Sequence, residues 1–166
     1  FGNSTWFRYL LGWMSPPEIS LIKLTETEAI HELYDVHHMD QDLLLPISTL
    51  DQSLSYFHQE VDFYPLWLCP MRVFDTPIRG MVNPLANEQM FVDVGIYGEP
   101  TVPNYKAKDT TRKLEAYMRE IGGFQALYAD TYQTREELRE MFDHNLLDKL
   151  REQTGALKAF PEPFDK

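Results

Sequence analysis

The spacing of apolar residues along the chain predicts four strands. Residues 89–98, QMFVDVGIYG, alternate between two sides, as the residues of a half-buried strand do. Because proline cannot donate a backbone hydrogen bond, Pro65 and Pro70 place the strand that contains them at a sheet edge. The other stretches typical of strands are QDLLLPIS at 41–48, YPLWLCPMRVF at 64–74 and GFQALYADTY at 123–132.

Around these strands, apolar residues recur at intervals of three and four positions, which is the helical period. This spacing occurs at 24–38, 48–63, 109–121 and 134–143, followed by a last helix through Leu146, Leu147 and Leu150. Residue types that favour helix ends stand at the borders of these stretches. We expect caps at Thr25 with Glu28, at Ser48 or Thr49, at Asp109, and at Thr134 with Glu137, and a stop at Gly122-Gly123.

The predicted order from Asp42 to Tyr132 is β-α-β-β-α-β, which indicates an α+β fold. In this ferredoxin-like arrangement, a four-stranded antiparallel sheet carries both helices on one face. The chain then divides into an N-terminal helical connector at 1–24, a main domain at 25–132 and C-terminal helices at 133–166. The connector holds the apolar stretch TWFRYLLGWM, which is too short to span a bilayer. We expect it to be a buried helix, with a position at a membrane interface as the alternative.

The sheet face that points away from the helices needs a separate explanation. Another domain packed there would explain aromatic side chains on it, and a flat apolar ligand would explain them equally well. Unpaired carboxylates are rarely buried between domains, which is an argument for a pocket. If the strands keep register, this face gathers Trp67, Phe91, Tyr97 and Tyr128, with Asp93 and Asp130 among them. Within single strands, the same alternation puts Cys69 on the side of Trp67, and Phe124 and Tyr132 on the side of Tyr128.

Composition and motifs exclude several classes of function. The 166 residues carry a formal net charge of −11, which argues against binding nucleic acid, because phosphates require clustered Lys and Arg. The single cysteine, Cys69, excludes an internal disulfide and a cysteine-based zinc site, and we expect it to be a buried structural thiol. The stretch HELYDVHHMDQD lacks the spacing of ligands on one helix face, so we predict no metal site.

The sequence has no glycine-rich loop of the kinds that bind dinucleotides or nucleotide phosphates. It also begins with Phe1 instead of methionine. We therefore expect the chain to be a piece of a longer polypeptide whose other motifs lie upstream.

Five stretches together resemble one family. They are FRYLLGWMSPPEISLIKLT, HHMDQDLLLP, YPLWLCP, DVGIYGEP and GFQALYADTYQTREELREMFD. These stretches are similar to the C-terminal part of the Δ24-sterol reductases, also called 24-dehydrocholesterol reductases (diminuto or seladin type). The likeness runs from about Trp6 to Lys166, and the animal members look closer than the plant members.

The resemblance implies a flavoenzyme of the vanillyl-alcohol-oxidase type, of which this chain would be the cap or substrate domain and the C-terminal helices. The FAD-binding domain would lie upstream in the same polypeptide. An N-terminal anchor, also upstream, would hold the full-length protein at the cytoplasmic face of the endoplasmic reticulum membrane, and the fragment itself would be soluble. The implied reaction reduces the C24=C25 bond of sterols such as desmosterol in cholesterol biosynthesis, with NADPH as reductant and FAD as hydride carrier. By itself the chain would neither bind FAD tightly nor turn over.

The implied chemistry assigns roles on the open sheet face. One alkene carbon receives a hydride, and the other needs a proton from a positioned acid. We assign Tyr128 to this acid or to its proton relay, because a phenol stays protonated at neutral pH, with Asp130 or Tyr132 as its orienting partner. A tyrosine that only makes a structural hydrogen bond is the alternative. The expected substrate-binding wall consists of Trp67, Cys69, Phe91, Asp93 and Tyr97.

A different class of function also stays open. The bare sheet face and the lack of a cofactor motif are compatible with a non-catalytic, ferredoxin-like module that binds lipid or another protein.

Overall fold

The structure is a computed structural model that describes residues 4–14, 27–86 and 88–165. The chain forms two units, Phe1–Tyr34 and Asp35–Lys166, which are described separately. The second unit contains the sheet and all of the predicted site residues.

A short helix, α1 at Thr5–Leu11, opens the first unit and is followed by a 3-10 turn at Gly12–Met14. The predicted helix therefore forms, but none of the residues of α1 is buried. Trp6, Tyr9 and Trp13 are each at least 75% exposed. The prediction that this stretch is a buried helix is wrong, because no described part of its own unit covers it.

The second helix, α2 at Glu28–His37, matches the predicted three-turn helix. The expected cap at Thr25 lies outside the described residues. Among the helices that the structure describes, none has the length and apolar character needed to cross a membrane.

The second unit is built on a four-stranded antiparallel sheet, which confirms the predicted sheet and its α+β class. The strands are β1 at Met39–Pro46, β2 at Trp67–Arg72, β3 at Met90–Gly98 and β4 at Phe124–Gln125. They lie side by side in the order β2-β3-β1-β4. The proline-containing strand β2 is thus an edge strand, as predicted.

Two helices cover one face of this sheet. They are α3 at Leu50–Glu60 and α4 at Ala107–Ile121, and they follow β1 and β3 in the chain. Alternate residues of the strands pack against the apolar stripes of the helices, because strand side chains point to opposite faces in turn. The buried cluster between sheet and helices includes Leu43, Leu45, Val92, Val94 and Ile96 from the strands and Phe57, Leu114 and Met118 from the helices.

For helix α4, the prediction is confirmed at the C-terminal end and is wrong at the N-terminal end. The helix begins at Ala107, so Asp109 lies in its first turn and is not the predicted cap. A carboxylate there still interacts favourably with the positive end of the helix dipole. At the other end Gly122 takes a left-handed conformation with φ +72°, which confirms the predicted stop.

The predicted cap of α3 does not form. Thr49 stands at the N-cap position, but its side chain makes no capping bond, and its hydroxyl donates to the carbonyl oxygen of Pro46 instead. The capping box of Thr134 and Glu137 is present, as predicted, and starts α5 at Arg135–Met141. The last helix, α6 at Asn145–Gln153, contains the three predicted leucines.

The fourth strand is much shorter than predicted. Its ladder with β1 covers only Phe124–Gln125, whereas the sequence pattern continued to Tyr132. The chain leaves the sheet because the carbonyl oxygen of Asp130 accepts bonds from the side-chain amides of Gln41 and Gln125, at 2.9 and 2.8 Å. In the segment 126–134, the backbone N–H of Ala126 still donates to the carbonyl oxygen of Asp42 at 2.9 Å, and beyond Ala126 side-chain bonds take the place of a continued ladder.

Candidate functional site

The strand register brings polar and aromatic side chains together on the sheet face opposite α3 and α4. Asp42 of β1 lies opposite Gly95 of β3, which lies opposite Trp67 of β2. Asp93 and Tyr97 lie two positions on either side of Gly95 on β3. Because side chains alternate along a strand, both point to the same face as Gly95. The prediction that Trp67, Asp93 and Tyr97 share one face is therefore confirmed.

Asp42 is the centre of this group. Its Oδ2 accepts a hydrogen bond from the hydroxyl of Tyr128 at 2.5 Å, and its Oδ1 accepts one from the hydroxyl of Tyr97. Two phenol donors on one carboxylate fix its orientation and offset its negative charge. We call Asp42, Asp93, Tyr97 and Tyr128 the carboxylate–phenol cluster.

Gly95 makes room for one of these bonds. The ring of Tyr97 lies back along its strand over Gly95, and a Cβ atom there would stand 2.6 Å from the ring. Any larger residue would push the ring away from Asp42. The glycine at this position is therefore required by a close approach within the cluster.

The second carboxylate has an unusual environment. Oδ1 of Asp93 is buried and has no hydrogen-bond partner. Burial, together with the nearby negative charge of Asp42, raises the pKa of Asp93 to about 6. A measurable fraction of this side chain is thus a neutral carboxylic acid near neutral pH.

The two phenols of the cluster hold their protons more tightly than an isolated tyrosine. Burial is the largest cause that raises the pKa of Tyr97, followed by its hydrogen bond to Asp42. The same two causes raise the pKa of Tyr128. Both hydroxyls are therefore protonated at neutral pH and can donate hydrogen bonds or relay a proton.

Buried bonds on the far side of the sheet hold the segment that carries Tyr128. Oε1 of the fully buried Glu115 accepts from the backbone N–H of Tyr132 at 2.7 Å and from the hydroxyl of Thr131 at 2.9 Å. Arg112 Nη1 donates to the carbonyl oxygen of Tyr132 at 2.9 Å. With both glutamine bonds to Asp130, these contacts fix the segment 126–134 at its C-terminal half.

The predicted partners of Tyr128 lie elsewhere. Asp130 is exposed and contributes its backbone carbonyl to the glutamine bonds. The ring of Tyr132 lies 5.8 Å from Nζ of Lys108 on α4, which is on the helix side of the sheet. Asp42, which the sequence patterns did not single out for this role, is the carboxylate bonded to Tyr128.

Two members of the predicted substrate wall differ from expectation in exposure. Phe91 is fully buried, because Phe124 covers it at a ring distance of 5.9 Å and Phe142 packs on Phe124 at 6.0 Å. It is therefore a packing residue and not part of an accessible wall. Cys69 is exposed beside Asp93, so the expectation of a buried thiol is wrong.

The exposed part of this face has a definite chemical character. Trp67, Tyr97 and Tyr128 are 59%, 43% and 65% exposed and surround two carboxylates. Aromatic surface next to negative charge suits a neutral ring system or an alkyl chain and repels phosphate groups. Within the described ranges, no group of three or more His, Cys, Asp or Glu side chains could hold a metal ion.

Known proteins similar to this chain share one name. The Delta(24)-sterol reductase of Homo sapiens is 49% identical over 167 residues, and the match covers 100% of this chain and 32% of the human protein. A Delta(24)-sterol reductase homolog of Caenorhabditis elegans is 43% identical, and the Delta(24)-sterol reductase of Arabidopsis thaliana is 34% identical, each over the whole chain. No family model matches the chain, and no solved structure shows a significant match.

The matches have two consequences. The animal relatives are more similar than the plant relatives, as the sequence motifs indicated. The chain spans about a third of the length of the curated relatives it matches. Over its whole length, this chain is thus related to the C-terminal portion of the Δ24-sterol reductases.

Proposed function

We propose that the chain is the C-terminal, substrate-covering portion of an FAD-dependent Δ24-sterol reductase, which reduces the C24=C25 bond of sterols such as desmosterol with NADPH. The observation that carries this proposal is 49% identity over the entire chain to a protein named Delta(24)-sterol reductase. In this proposal the full-length protein works in sterol biosynthesis at the endoplasmic reticulum membrane.

The sheet and its helices form the ferredoxin-like cap domain of the enzyme in this proposal. The strand order β2-β3-β1-β4 and the element order β-α-β-β-α-β support it. The exposed sheet face, with Trp67 at its edge strand, then lies over the reacting groups. The C-terminal helices return toward the flavin domain of the same polypeptide.

The residues of this chain fit the reactive end of the cofactor better than its phosphates. The exposed face offers aromatic surface beside the carboxylates of Asp40, Asp42 and Asp93, and this aromatic surface suits a neutral ring system and an apolar sterol tail. Phosphates of FAD and NADPH need N–H groups and cations, which an upstream domain would supply. FAD, when bound, supplies a hydride to one carbon of the alkene.

Proton delivery is the task that this chain's own residues can perform. The alkene must gain a proton on its second carbon, and Tyr128 presents a protonated hydroxyl held by Asp42. Tyr128 therefore serves as the acid or as a relay to it, and Tyr97 shares the same carboxylate. Trp67 excludes water from the reacting carbons at the other side of the face.

The full-length polypeptide that contains this chain tests the proposal. Purified with its flavin, it should convert desmosterol to cholesterol when NADPH is supplied, as measured by chromatography of the sterols. A flavin-loaded protein that leaves desmosterol unchanged would contradict the proposed activity. Binding of sterols by the 166-residue chain, unaffected by the upstream domain, would favour a non-catalytic lipid-binding module.

A single substitution tests the role of Tyr128. Tyr128→Phe removes the hydroxyl and should lower turnover by about tenfold or more while the flavin stays bound, because general-acid steps contribute about 10²–10⁴-fold. Tyr64→Phe is the matched control, since Tyr64 is exposed and follows α3 on the chain. Equal turnover in the two variants would remove Tyr128 from proton delivery.

A further inference from the structure

We propose that Asp93 is the acid that delivers the proton to the sterol double bond, and that the two phenols hold the neighbouring carboxylate of Asp42 in place. This inference rests on the proposed reductase function and narrows it to one residue. It separates the roles within the carboxylate–phenol cluster, in which Tyr128 becomes a positioning residue that acts through Asp42.

Asp42 accepts a hydrogen bond from each phenol of the cluster, whereas Oδ1 of Asp93 accepts none. Both phenol hydroxyls donate to Asp42, so their protons point toward that carboxylate and away from a ligand on the open face. Asp93 stands on the neighbouring strand, on the same face, opposite Cys69 on β2 and Leu44 on β1.

The surroundings of Asp93 favour its neutral form. Its Oδ1 is buried without a hydrogen-bond partner, which is costly for an ionised carboxylate and tolerable for the carbonyl oxygen of a carboxylic acid. The titratable groups that share this face are Asp40 and Asp42 on β1, Cys69 on β2, Tyr97 on its own strand and Tyr128 from the segment 126–134. None of these five side chains is a cation that would stabilise ionised Asp93. The pKa of Asp93, raised to about 6 by burial and by Asp42, agrees with this geometry.

The step balances with the hydride donor of the proposed function. The π bond of the alkene breaks, one carbon gains a hydride from reduced flavin, and the other gains the proton of the Asp93 carboxyl group. Asp93 is left as a carboxylate and regains a proton from water. A carboxylic acid with a pKa close to the working pH is suited to give up a proton and take one back in every cycle.

The test compares Asp93→Asn with wild type and with Tyr128→Phe in the full-length, flavin-loaded reductase. We expect the activity of wild type to fall as the pH rises through about 6, and Asp93→Asn should lower kcat by about 100-fold or more and abolish this pH dependence. Asp93→Glu, which keeps the carboxyl group, should recover part of the activity. Asp51→Asn, on the exposed surface of α3, is the control for a change of charge alone.

A second readout does not depend on turnover. Infrared difference spectra between pH 5 and pH 8, without substrate, should show a protonated carboxyl band in wild type that is absent in Asp93→Asn and present in Asp51→Asn. Because the band is absent from Asp93→Asn by design, the circular dichroism spectrum of this variant, compared with that of wild type, guards against a loss of activity caused only by misfolding.

The outcomes separate the two levels of the proposal. If Asp93→Asn keeps turnover within about twofold of wild type while Tyr128→Phe loses it, Asp93 is not the donor and the reductase function stands. Absence of the titrating band in wild type also overturns the assignment of Asp93. If flavin-loaded wild type does not reduce the sterol, the function and the inference both fail.

Discussion

Replacement of Asp93 should change how the stability of this chain depends on pH. The pKa of Asp93 is raised from 3.8 to about 6 in the folded state by burial and by the charge of Asp42. Between these two values the folded state binds more protons than the unfolded state, so stability falls as the pH rises. The stabilising contribution of the protonated side chain is present below about pH 4 and is lost once the pH passes about 6.

The size of the effect follows from the shift. A difference of about two pKa units corresponds to about 3 kcal/mol, at 1.36 kcal/mol for each unit. Part of the side chain is in contact with water, which screens the interaction, so we expect about 1–2 kcal/mol. Because the side chain of Asp93→Asn cannot ionise, the free energy of unfolding of this variant should rise by this amount relative to that of wild type between pH 4 and pH 7.

Urea unfolding of the 166-residue chain, followed by circular dichroism at several pH values, measures this difference. The variant also adds an amide donor near Asp42, whose contribution is nearly constant with pH, so the readout is the pH dependence and not the absolute stability. Asp51→Asn should run parallel to wild type. A difference between Asp93→Asn and wild type that stays flat from pH 4 to pH 8 would refute the raised pKa and the physical basis of the proposed acid.

Two further substitutions probe the supports of the cluster. Gly95→Ala places a methyl group 2.6 Å from the ring of Tyr97. We expect the free energy of unfolding, measured in urea, to fall by about 1–3 kcal/mol. A variant as stable as wild type would contradict the close approach. The pKa of Glu137 is lowered to about 2 by hydrogen bonds from Arg112 and from the backbone of Thr134. The ionised carboxylate therefore stabilises the fold above pH 4.5, and this contribution is lost as the pH falls toward 2. Glu137→Gln should cost about 1.5–3 kcal/mol at pH 7 and flatten the acid limb of the stability profile, and an unchanged acid limb would argue against the bonds.

The fold was predictable because its elements carry local signals. Alternation in β3, prolines in β2 and the apolar stripe of α4 each depend on neighbours a few positions apart, and together they indicated the order of the elements. Alternation within β3 placed Asp93 and Tyr97 on one face correctly, whereas Trp67 on β2 was grouped with them only on the condition that the strands keep register. Such signals need no knowledge of the tertiary contacts.

Local signals of this kind could not identify Asp42 as the centre of the site. Asp42 is 55 residues from Tyr97 and 86 residues from Tyr128 along the chain. The register of β1 against β3 brings Tyr97 to it, and the pairing of β1 with β4 brings the segment that carries Tyr128. The periodicity of one strand does not specify its register against another. A polar residue within the apolar run DLLLP, facing a glycine, is the one signal that an alignment of the two strands could have used.

The early end of β4 has a similar cause. GFQALYADTY alternates like a strand as far as Tyr132, but two side-chain amides take the carbonyl of Asp130, and Glu115 takes the N–H of Tyr132. Bonds from buried side chains leave no periodic pattern in the sequence. As a result, Tyr128 was assigned to the correct face, but its predicted partner was Asp130 or Tyr132 and the observed partner is Asp42.

The two faces of the sheet are therefore coupled through one segment. Tyr128 is 65% exposed, yet the segment that carries it is fixed by bonds to Gln41, Gln125 and the fully buried Glu115 on the helix side. Proton transfer requires that donors stay within a fraction of an ångström of their productive position, about 0.5 Å. A loop held only by exposed contacts would not meet that requirement, because exposed bonds contribute little and open readily. The polar residues buried beneath α4 thus help to hold Tyr128 on Asp42, although they do not lie on that face themselves.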